Sequence, residues 1–132
     1  MAEALGLAAS VIAVVDLFAK IGVLCSHYCA DPKGARREVR GILNEADSFS
    51  HTLGDVEKLL SSPNGSKINP INIQRTIDDC RVLLGDLAVK LQQGTRWQWM
   101  KWPLKKEEVT QILQKLARWR AAIALELQIN QV

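Results

Sequence analysis

Residues 2–30 read AEALGLAASVIAVVDLFAKIGVLCSHYCA, and this stretch decides the predicted fold. Wound as a helix, it carries apolar side chains on nearly every side, with Asp16 and Lys20 as the charges near its middle. It stops before Asp31-Pro32-Lys33-Gly34, because proline disfavours helical geometry in the residue that precedes it. A helix that is apolar all round is either enclosed by protein or exposed to lipid. We therefore expect it to be the central element of the fold.

Three further helices follow, each with apolar residues at alternating spacings of three and four. Their predicted spans are about 33–60, 70–93 and 105–130, and a linker rich in tryptophan and lysine occupies 94–104. The apolar stripes consist of Val39, Ile42, Ala46, Phe49, Leu53, Val56 and Leu60, then Ile73, Ile77, Cys80, Leu84, Leu87 and Leu91, then Val109, Ile112, Leu116, Trp119, Ile123 and Leu127.

Start and stop signals agree with these spans. Asn69 offers an N-cap with Pro70 at the first helical position, and Gly94 closes the third helix. Glu107 and Glu108 complement the dipole of the fourth helix. The sequence thus predicts an all-α fold, an antiparallel helical bundle of four main helices with a hydrophobic N-terminal helix, as one domain over 1–132.

Composition limits the type of partner and the cell compartment that we expect for this chain. The chain has 132 residues, of which 48% are hydrophobic, and its formal charge of +3 is too mild to indicate a nucleic-acid partner. Three cysteines without a disulfide framework favour a reducing compartment, so we expect a cytoplasmic protein. The first thirty residues lack the positive start of a signal peptide and carry Glu3, Asp16 and Lys20, so we interpret them as part of the mature fold.

Catalytic and metal chemistry have little support in the sequence. His27 and His51 lie in different predicted helices without a nucleophile beside them, and no phosphate-binding glycine loop is present. Cys25 and Cys29 share a helix face, but His27 points away from it, so these three residues cannot chelate one ion. We expect Cys25, Cys29 and Cys80 to be small apolar residues in or near the core, and we expect no enzyme activity, metal or cofactor.

The first helix is the main functional candidate. Its predicted length of roughly 43 Å exceeds the ~30 Å hydrocarbon core of a bilayer. Asp16 and Lys20 would each cost about 2.5–3.5 kcal/mol at the bilayer centre, so a single copy should stay in the bundle. Several clustered copies could turn these charges towards one another or a watery lumen. The candidate membrane-active residues are Glu3, Leu5, Leu7, Val11, Ile12, Val14, Val15, Phe18 and Ile21.

A plainer interpretation of the same helix stays open. In this interpretation the helix serves only as the core helix of a soluble bundle, with Asp16 and Lys20 forming its narrow polar strip in water. Physical reasoning from the residues alone favours this interpretation. The two interpretations are compatible if the helix moves.

The linker is the second candidate. It combines tryptophans with cations and no acid, a mixture that suits an anionic membrane surface. Single-stranded nucleic acid could use the same mixture by stacking. The plain alternative is a loop whose tryptophans fold back over one end of the bundle while its lysines stay in water. The candidate membrane-surface residues are Arg96, Trp97, Trp99, Lys101, Trp102, Lys105 and Lys106.

The sequence also resembles a known family. Residues 1–17, MAEALGLAASVIAVVDL, with Lys20, Gly22, Leu24-Cys25 and Tyr28 after them, resemble the HeLo-like N-terminal domain of fungal STAND (NOD-like receptor) proteins. The similarity continues through Glu45, Leu59-Leu60, the Pro63-x-Gly65 turn, Cys80, Leu83, Leu87, Lys101-Trp102-Pro103-Leu104 and Glu108-Val109, and so covers the whole chain.

The resemblance implies a helical bundle ahead of a downstream nucleotide-binding module. It implies an output domain that self-associates into a homo-oligomer when the receptor is activated, releases its first helix and permeabilises the plasma membrane. Together with the composition of the linker and the mild net charge, it leads us to expect anionic lipids as partners and no nucleic acid. The result would be regulated cell death or heterokaryon incompatibility, a form of innate immunity. By the same analogy, Glu3 would supply a ring of carboxylates at a pore mouth. The rival hypothesis is a helical protein–protein interaction adaptor without membrane activity.

Overall fold

The computed structural model describes residues 2–28, 35–62, 70–95 and 102–130, with side chains in 6–28, 37–62, 71–94 and 102–129. It contains helices α1 (Ala2–Ser26), α2 (Ala35–Ser61), α3 (Pro70–Thr95) and α4 (Lys106–Asn130). No strand occurs in these ranges. The prediction of an all-α, four-helix bundle with an apolar first helix is confirmed.

The helix ends differ slightly from those expected. α1 ends at Ser26, earlier than the predicted residue 30, and a turn follows in which the Tyr28 amide donates to the Cys25 carbonyl at 3.0 Å. α3 begins at Pro70, as expected for a residue that has no N–H to leave unpaired. It runs to Thr95, so Gly94 is its penultimate residue and does not terminate it.

The helices alternate in direction along the chain, yet spatial neighbours are not always consecutive. α1 and α4 each pack against both α2 and α3, which places α1 diagonally opposite α4. The Gln74 amide donates to the Ser10 hydroxyl near the start of both helices, and the Tyr28 hydroxyl donates to the Leu91 carbonyl near their ends. α1 and α3 are therefore parallel neighbours.

The α2–α4 pair has the same arrangement. Glu45 accepts two hydrogen bonds from the Arg120 guanidinium, at 2.9 and 3.4 Å, and this ion pair is partly buried. Gly41 lies against Leu113, so residue numbers increase together along both helices. The α1–α2 and α3–α4 pairs run antiparallel. The bundle is thus two parallel pairs packed against each other in opposite directions.

Predicted apolar stripes supply the core. Every predicted α3 stripe residue is buried, and those of α2 and α4 are buried or packed against the core at its edge. The expectation that α1 is the central element of the fold is wrong, because one side of it faces solvent: Ile12 is 55% and Val23 62% exposed. α1 occupies a corner of the bundle, because only two helices cover it.

Phe49→Ala tests this core. Phe49 is fully buried and its ring centroid lies 5.2 Å from that of Phe18 on α1. Removing the ring should lower the free energy of unfolding by about 3–5 kcal/mol, because a cavity remains between α1 and α2. Urea unfolding followed by circular dichroism measures the change.

Val82→Ala is the matched control, since Val82 is 67% exposed on α3. It should shift the same free energy by no more than about 0.5 kcal/mol. Equal losses for the two variants would contradict the core assignment.

Candidate functional site

The buried face of α1 is a regular apolar stripe. Its members recur at alternating spacings of four and three, and each is at most 4% exposed. We call this set the inner stripe: Leu7, Val11, Val14, Phe18, Ile21, Cys25 and Tyr28. A seam of this period keeps one side of a helix against its neighbours over its whole length. The inner stripe therefore fixes α1 on α2 and α3.

Most of the candidate membrane-active residues belong to the inner stripe. Leu7, Val11, Val14, Phe18 and Ile21 are brought together in the core, where nothing outside the bundle reaches them. Of the remaining candidates, Val15 is half-buried against the core and Ile12 is exposed, whereas the side chains of Glu3 and Leu5 lie outside the described residues.

A second stripe with the same alternation of three and four runs along the opposite side of α1. All its members are exposed, and we call them the outer stripe: Ala9, Ile12, Asp16, Ala19, Val23 and Ser26. Lys20 flanks this stripe and is also exposed. Asp16 and Lys20 thus form the expected wet strip, but that strip is interrupted by apolar residues.

Charge on α1 is sparse compared with its neighbours. α1 carries three charged residues in 25, namely Glu3, Asp16 and Lys20, whereas α2 carries nine in 27. By length and composition, Gly6–Ser26 is able to cross a membrane, although a core helix or a signal sequence has the same properties. Only 28% of this span's most apolar window is buried. Packing in the bundle therefore accounts for one side of α1 and leaves the apolar character of the other unexplained.

Release of α1 has a large energetic cost in water. Exposing seven core side chains, at about 1.5–3 kcal/mol each, costs roughly 10–20 kcal/mol. That is similar to the whole stability of an ordinary domain, about 5–15 kcal/mol. α1 can leave the bundle only if lipid or protein takes up its apolar surface at the same time.

One end of the bundle holds α1 through a buried hydrogen bond and ring packing at Tyr28. The Tyr28 ring is buried, and its hydroxyl donates to the Leu91 carbonyl at 2.6 Å. Burial raises the pKa of this phenol, and the nearby Cys25 thiol adds to the shift. Gly94 leaves the space that the hydroxyl occupies, since a Cβ there would collide with the Tyr28 oxygen.

Trp102 completes this end. Its ring meets the Tyr28 ring edge to face, with centroids 5.1 Å apart, and its indole N–H donates to the Glu38 carboxylate. Tyr28, Glu38, Gly94 and Trp102 thus link the end of α1 to α2, α3 and the segment before α4, and we call them the Tyr28 cluster. For Trp102, the expectation of a tryptophan folded back over the end of the bundle is confirmed.

The remaining linker candidates are divided. Lys105 and Lys106 are exposed beside Trp102, where an anionic surface can reach them. The other four, Arg96, Trp97, Trp99 and Lys101, lie outside the described residues. In the closed bundle, Trp102 has its indole N–H bonded to Glu38 and is partly buried, so Lys105 and Lys106 are the more accessible of the described candidates.

Sequence reasoning missed the roles of Glu38 and Gly94. The sequence indicates no role for Glu38, which lies in the first turn of α2, and it indicates only a helix stop at Gly94. Both depend on contacts with residues more than sixty positions away, Trp102 and Tyr28 respectively. The available signal was the presence of one tyrosine in the chain, at the end of an apolar helix, where a buried hydroxyl needs a partner.

Two of the cysteines lie where expected. Cys25 and Cys80 are buried and free of disulfides, whereas Cys29 lies outside the described residues. No group of metal-binding side chains assembles in the described ranges. A shallow depression on α2, lined by Asp47, His51, Asp55 and Lys58 among others, belongs to a single helix face and is open to solvent.

The chain matches no family model, no curated protein and no solved structure. The resemblance to HeLo-like domains therefore stays a prediction from the sequence motifs quoted above.

Gly94→Ala and Gly85→Ala should have opposite effects on stability. A methyl group at Gly94 collides with Tyr28 and lies 3.2 Å from the Pro103 ring, so we expect a loss of about 1–3 kcal/mol. Gly85 lies in the same helix with nothing within 4 Å of the added carbon, so we expect a gain of up to about 1 kcal/mol. Chemical unfolding measures both changes.

A double-mutant cycle connects this loss to the hydroxyl. Tyr28→Phe should make Gly94→Ala less costly than it is in the wild type, because the colliding oxygen is gone. An equal cost in both backgrounds would contradict the proposed packing.

Stability should decline at alkaline pH because of Cys80. Burial raises the pKa of its thiol from the ordinary 9.0 to about 12. Because the folded state holds the thiol proton more tightly than the unfolded state does, the full stabilisation is present below the unfolded pKa. It is lost as the pH rises from the unfolded to the folded pKa. The free energy of unfolding should therefore fall between pH 9 and 12, by up to about 1.4 kcal/mol per pH unit. Tyr28 shifts in the same direction.

Unfolding at several pH values above 8 compares the wild type with Cys80→Ala. The variant starts less stable because of the lost sulfur, but its curve should fall less steeply above pH 9. Parallel curves would contradict the assignment.

Proposed function

We propose that this chain is a membrane-permeabilising effector domain, the N-terminal part of a fungal NOD-like receptor, in which clustering transfers α1 from the bundle into the bilayer. The observation that carries the proposal is the two-sided apolar character of α1: the inner stripe is sufficient for packing, yet the outer stripe retains Ile12 and Val23 in water. An ordinary bundle helix carries polar residues on that side.

Dimensions and energies are compatible with the transfer. α1 has 25 residues, which gives about 37 Å and so spans a hydrocarbon core of ~30 Å with some tilt. In lipid, the inner stripe stays out of water and the outer stripe leaves it, which offsets the cost of opening. Asp16 and Lys20 oppose insertion by about 2.5–3.5 kcal/mol each in a single helix.

Clustering removes this opposition. Helices inserted side by side can direct Asp16 and Lys20 to one another or to a watery lumen, where their charges are paired or hydrated. Ala8, Ala9 and Ala13 allow the helices to approach closely. Single copies thus stay closed in the cytoplasm, and gathered copies relocate to the plasma membrane and permeabilise it.

The Tyr28 cluster gives the movement a direction. It holds the end of α1 by a buried hydrogen bond from Tyr28 to Leu91 and by a ring contact with Trp102, which is itself bonded to Glu38. In the first half of α1, the one side-chain hydrogen bond among the described residues, from Gln74 to Ser10, is only partly buried. The N-terminal half therefore separates first, and Tyr28 acts as the pivot. Lys105 and Lys106, which follow Trp102 closely in the chain, are exposed and can contact anionic lipid.

An adaptor function is the second candidate. Val82 and Val89 on α3, together with Leu125 and Ile129 on α4, are each more than half exposed although neither helix is released in the mechanism above. Such side chains suit docking of another helical domain to the closed bundle. An adaptor should ignore anionic vesicles at physiological salt, whereas the effector should bind them and bind less as salt rises.

A reversible lock on α1 tests the proposal. Ser10→Cys with Gln74→Cys places thiols on α1 and α3 where the native side chains are in hydrogen-bond contact at 2.9 Å. Joining them with a short, reducible crosslinker in a Cys29→Ser background should abolish dye leakage from anionic vesicles when the domain is fused to a forced oligomeriser. Reduction of the same sample should restore it.

The control lock leaves α1 free. Asn72→Cys with Glu126→Cys joins α3 to α4 at another hydrogen-bonded pair, 3.3 Å apart, and should leak dye in both redox states. Circular dichroism confirms that both proteins stay folded. Full leakage from the crosslinked α1–α3 protein would overturn the release mechanism, and no leakage from either protein after reduction would favour the adaptor.

A further inference from the structure

The outer stripe of α1 is complementary to itself. Its residue numbers are symmetric about a point between Leu17 and Phe18, so an antiparallel second copy would set Ile12 against Val23 of that copy and Ala9 against its Ser26. The two large exposed side chains would then cover each other on both sides of the centre. Small residues flank them and allow close approach of the backbones.

Charge selects the antiparallel orientation. Asp16 and Lys20 are exposed and form no ion pair with any residue that the structure describes. In an antiparallel pair, Asp16 of each copy lies next to Lys20 of the other, giving two ion pairs across the axis. A parallel pair in register would place Asp16 beside Asp16 and Lys20 beside Lys20, and like charges at that distance repel.

Asp16 and Lys20 also determine whether lipid or a second copy of the chain covers the outer stripe of the closed bundle. A lipid surface would have to bury Asp16 and Lys20 without partners, whereas a second copy pairs both. We propose that closed bundles associate as antiparallel dimers through the outer stripe, before any helix is released. This goes beyond the proposed function, because it concerns the closed domain in solution.

The dimer should be weak. The outer stripe covers 18 residues, about 27 Å of a single helix, and so presents less than the ~800 Å² per partner that stable complexes bury. A dissociation constant on the order of 100 µM is the expectation. Such a contact forms mainly where copies are concentrated, and it keeps Ile12 and Val23 covered until α1 moves.

Charge exchange tests the contact. Sedimentation equilibrium up to about 1 mM, without lipid, should show a reversible dimer for the wild type. Asp16→Lys alone and Lys20→Glu alone each place like charges at two points of the interface, and each should weaken the dimer at least ~10-fold. The double variant re-forms both ion pairs in reverse and should recover to within about threefold of the wild type.

Asp55→Lys is the matched control, because it makes the same charge change at an exposed position on α2 and should leave the dimer unchanged. Circular dichroism checks that all variants are folded. A wild type that stays monomeric at ~1 mM, single variants that dimerise like the wild type, or a double variant as weak as the singles would each overturn the proposal.

Mixed crosslinking tests the orientation. Ile12→Cys and Val23→Cys proteins, each in a Cys29→Ser background, are combined and oxidised, and the products are separated by mass. The antiparallel dimer predicts the mixed product, whereas a predominance of the two like-with-like products would overturn it. Both measurements are made in solution, so vesicle leakage can fail while the dimer stands, and the dimer can fail while leakage stands.

Discussion

The packing of the α1 inner stripe against α2 and α3 is the contact on which the rest of the structure depends. Seven buried side chains, spaced for a helical seam, give α1 its place at a corner of the bundle. Their burial contributes a free energy similar to the whole stability of a domain of this size. If α1 acts outside the bundle, lipid or another protein must therefore cover its inner stripe as it leaves, so that these side chains are not exposed to water.

The two sides of α1 explain why such an exchange is physically reasonable here. The inner stripe holds the helix in the bundle, and the outer stripe gives it a second apolar side that the bundle does not use. In the proposed mechanism, Asp16 and Lys20 keep that second side in water while copies are scarce and offer paired charges when copies are gathered. The Tyr28 cluster would then restrain one end, so that opening would be a directed movement and not general unfolding.

The sequence predicts the orientation of a helix well when its apolar residues are confined to one face, and poorly when they occur on both. The stripes of α2, α3 and α4 emerged correctly because charged residues mark their outer faces, and Pro70 marked the start of α3. α1 was expected at the centre because both its sides are apolar. The size of the residues was the missed signal: Leu7, Phe18 and Ile21 lie on the inner stripe, whereas Ala9 and Ala19 lie on the outer.

The sequence does not predict which helices are neighbours. The parallel pairing of α1 with α3, and with it the contact of Gly94 with Tyr28, depends on which two helices lie diagonally opposite each other. Helical periodicity contains no information on that arrangement.

The distance between α1 and α3 on a membrane tests the central claim most directly. Spin labels at Ala9 and Arg75, both exposed on these neighbouring helices, leave the core intact. Pulsed electron paramagnetic resonance should find one short distance for the free domain and a longer, broader distribution once clustered copies permeabilise vesicles. A reference pair at Arg75 and Ala122, on α3 and α4, should keep its distance. An unchanged Ala9–Arg75 distance in vesicles that leak would contradict the account.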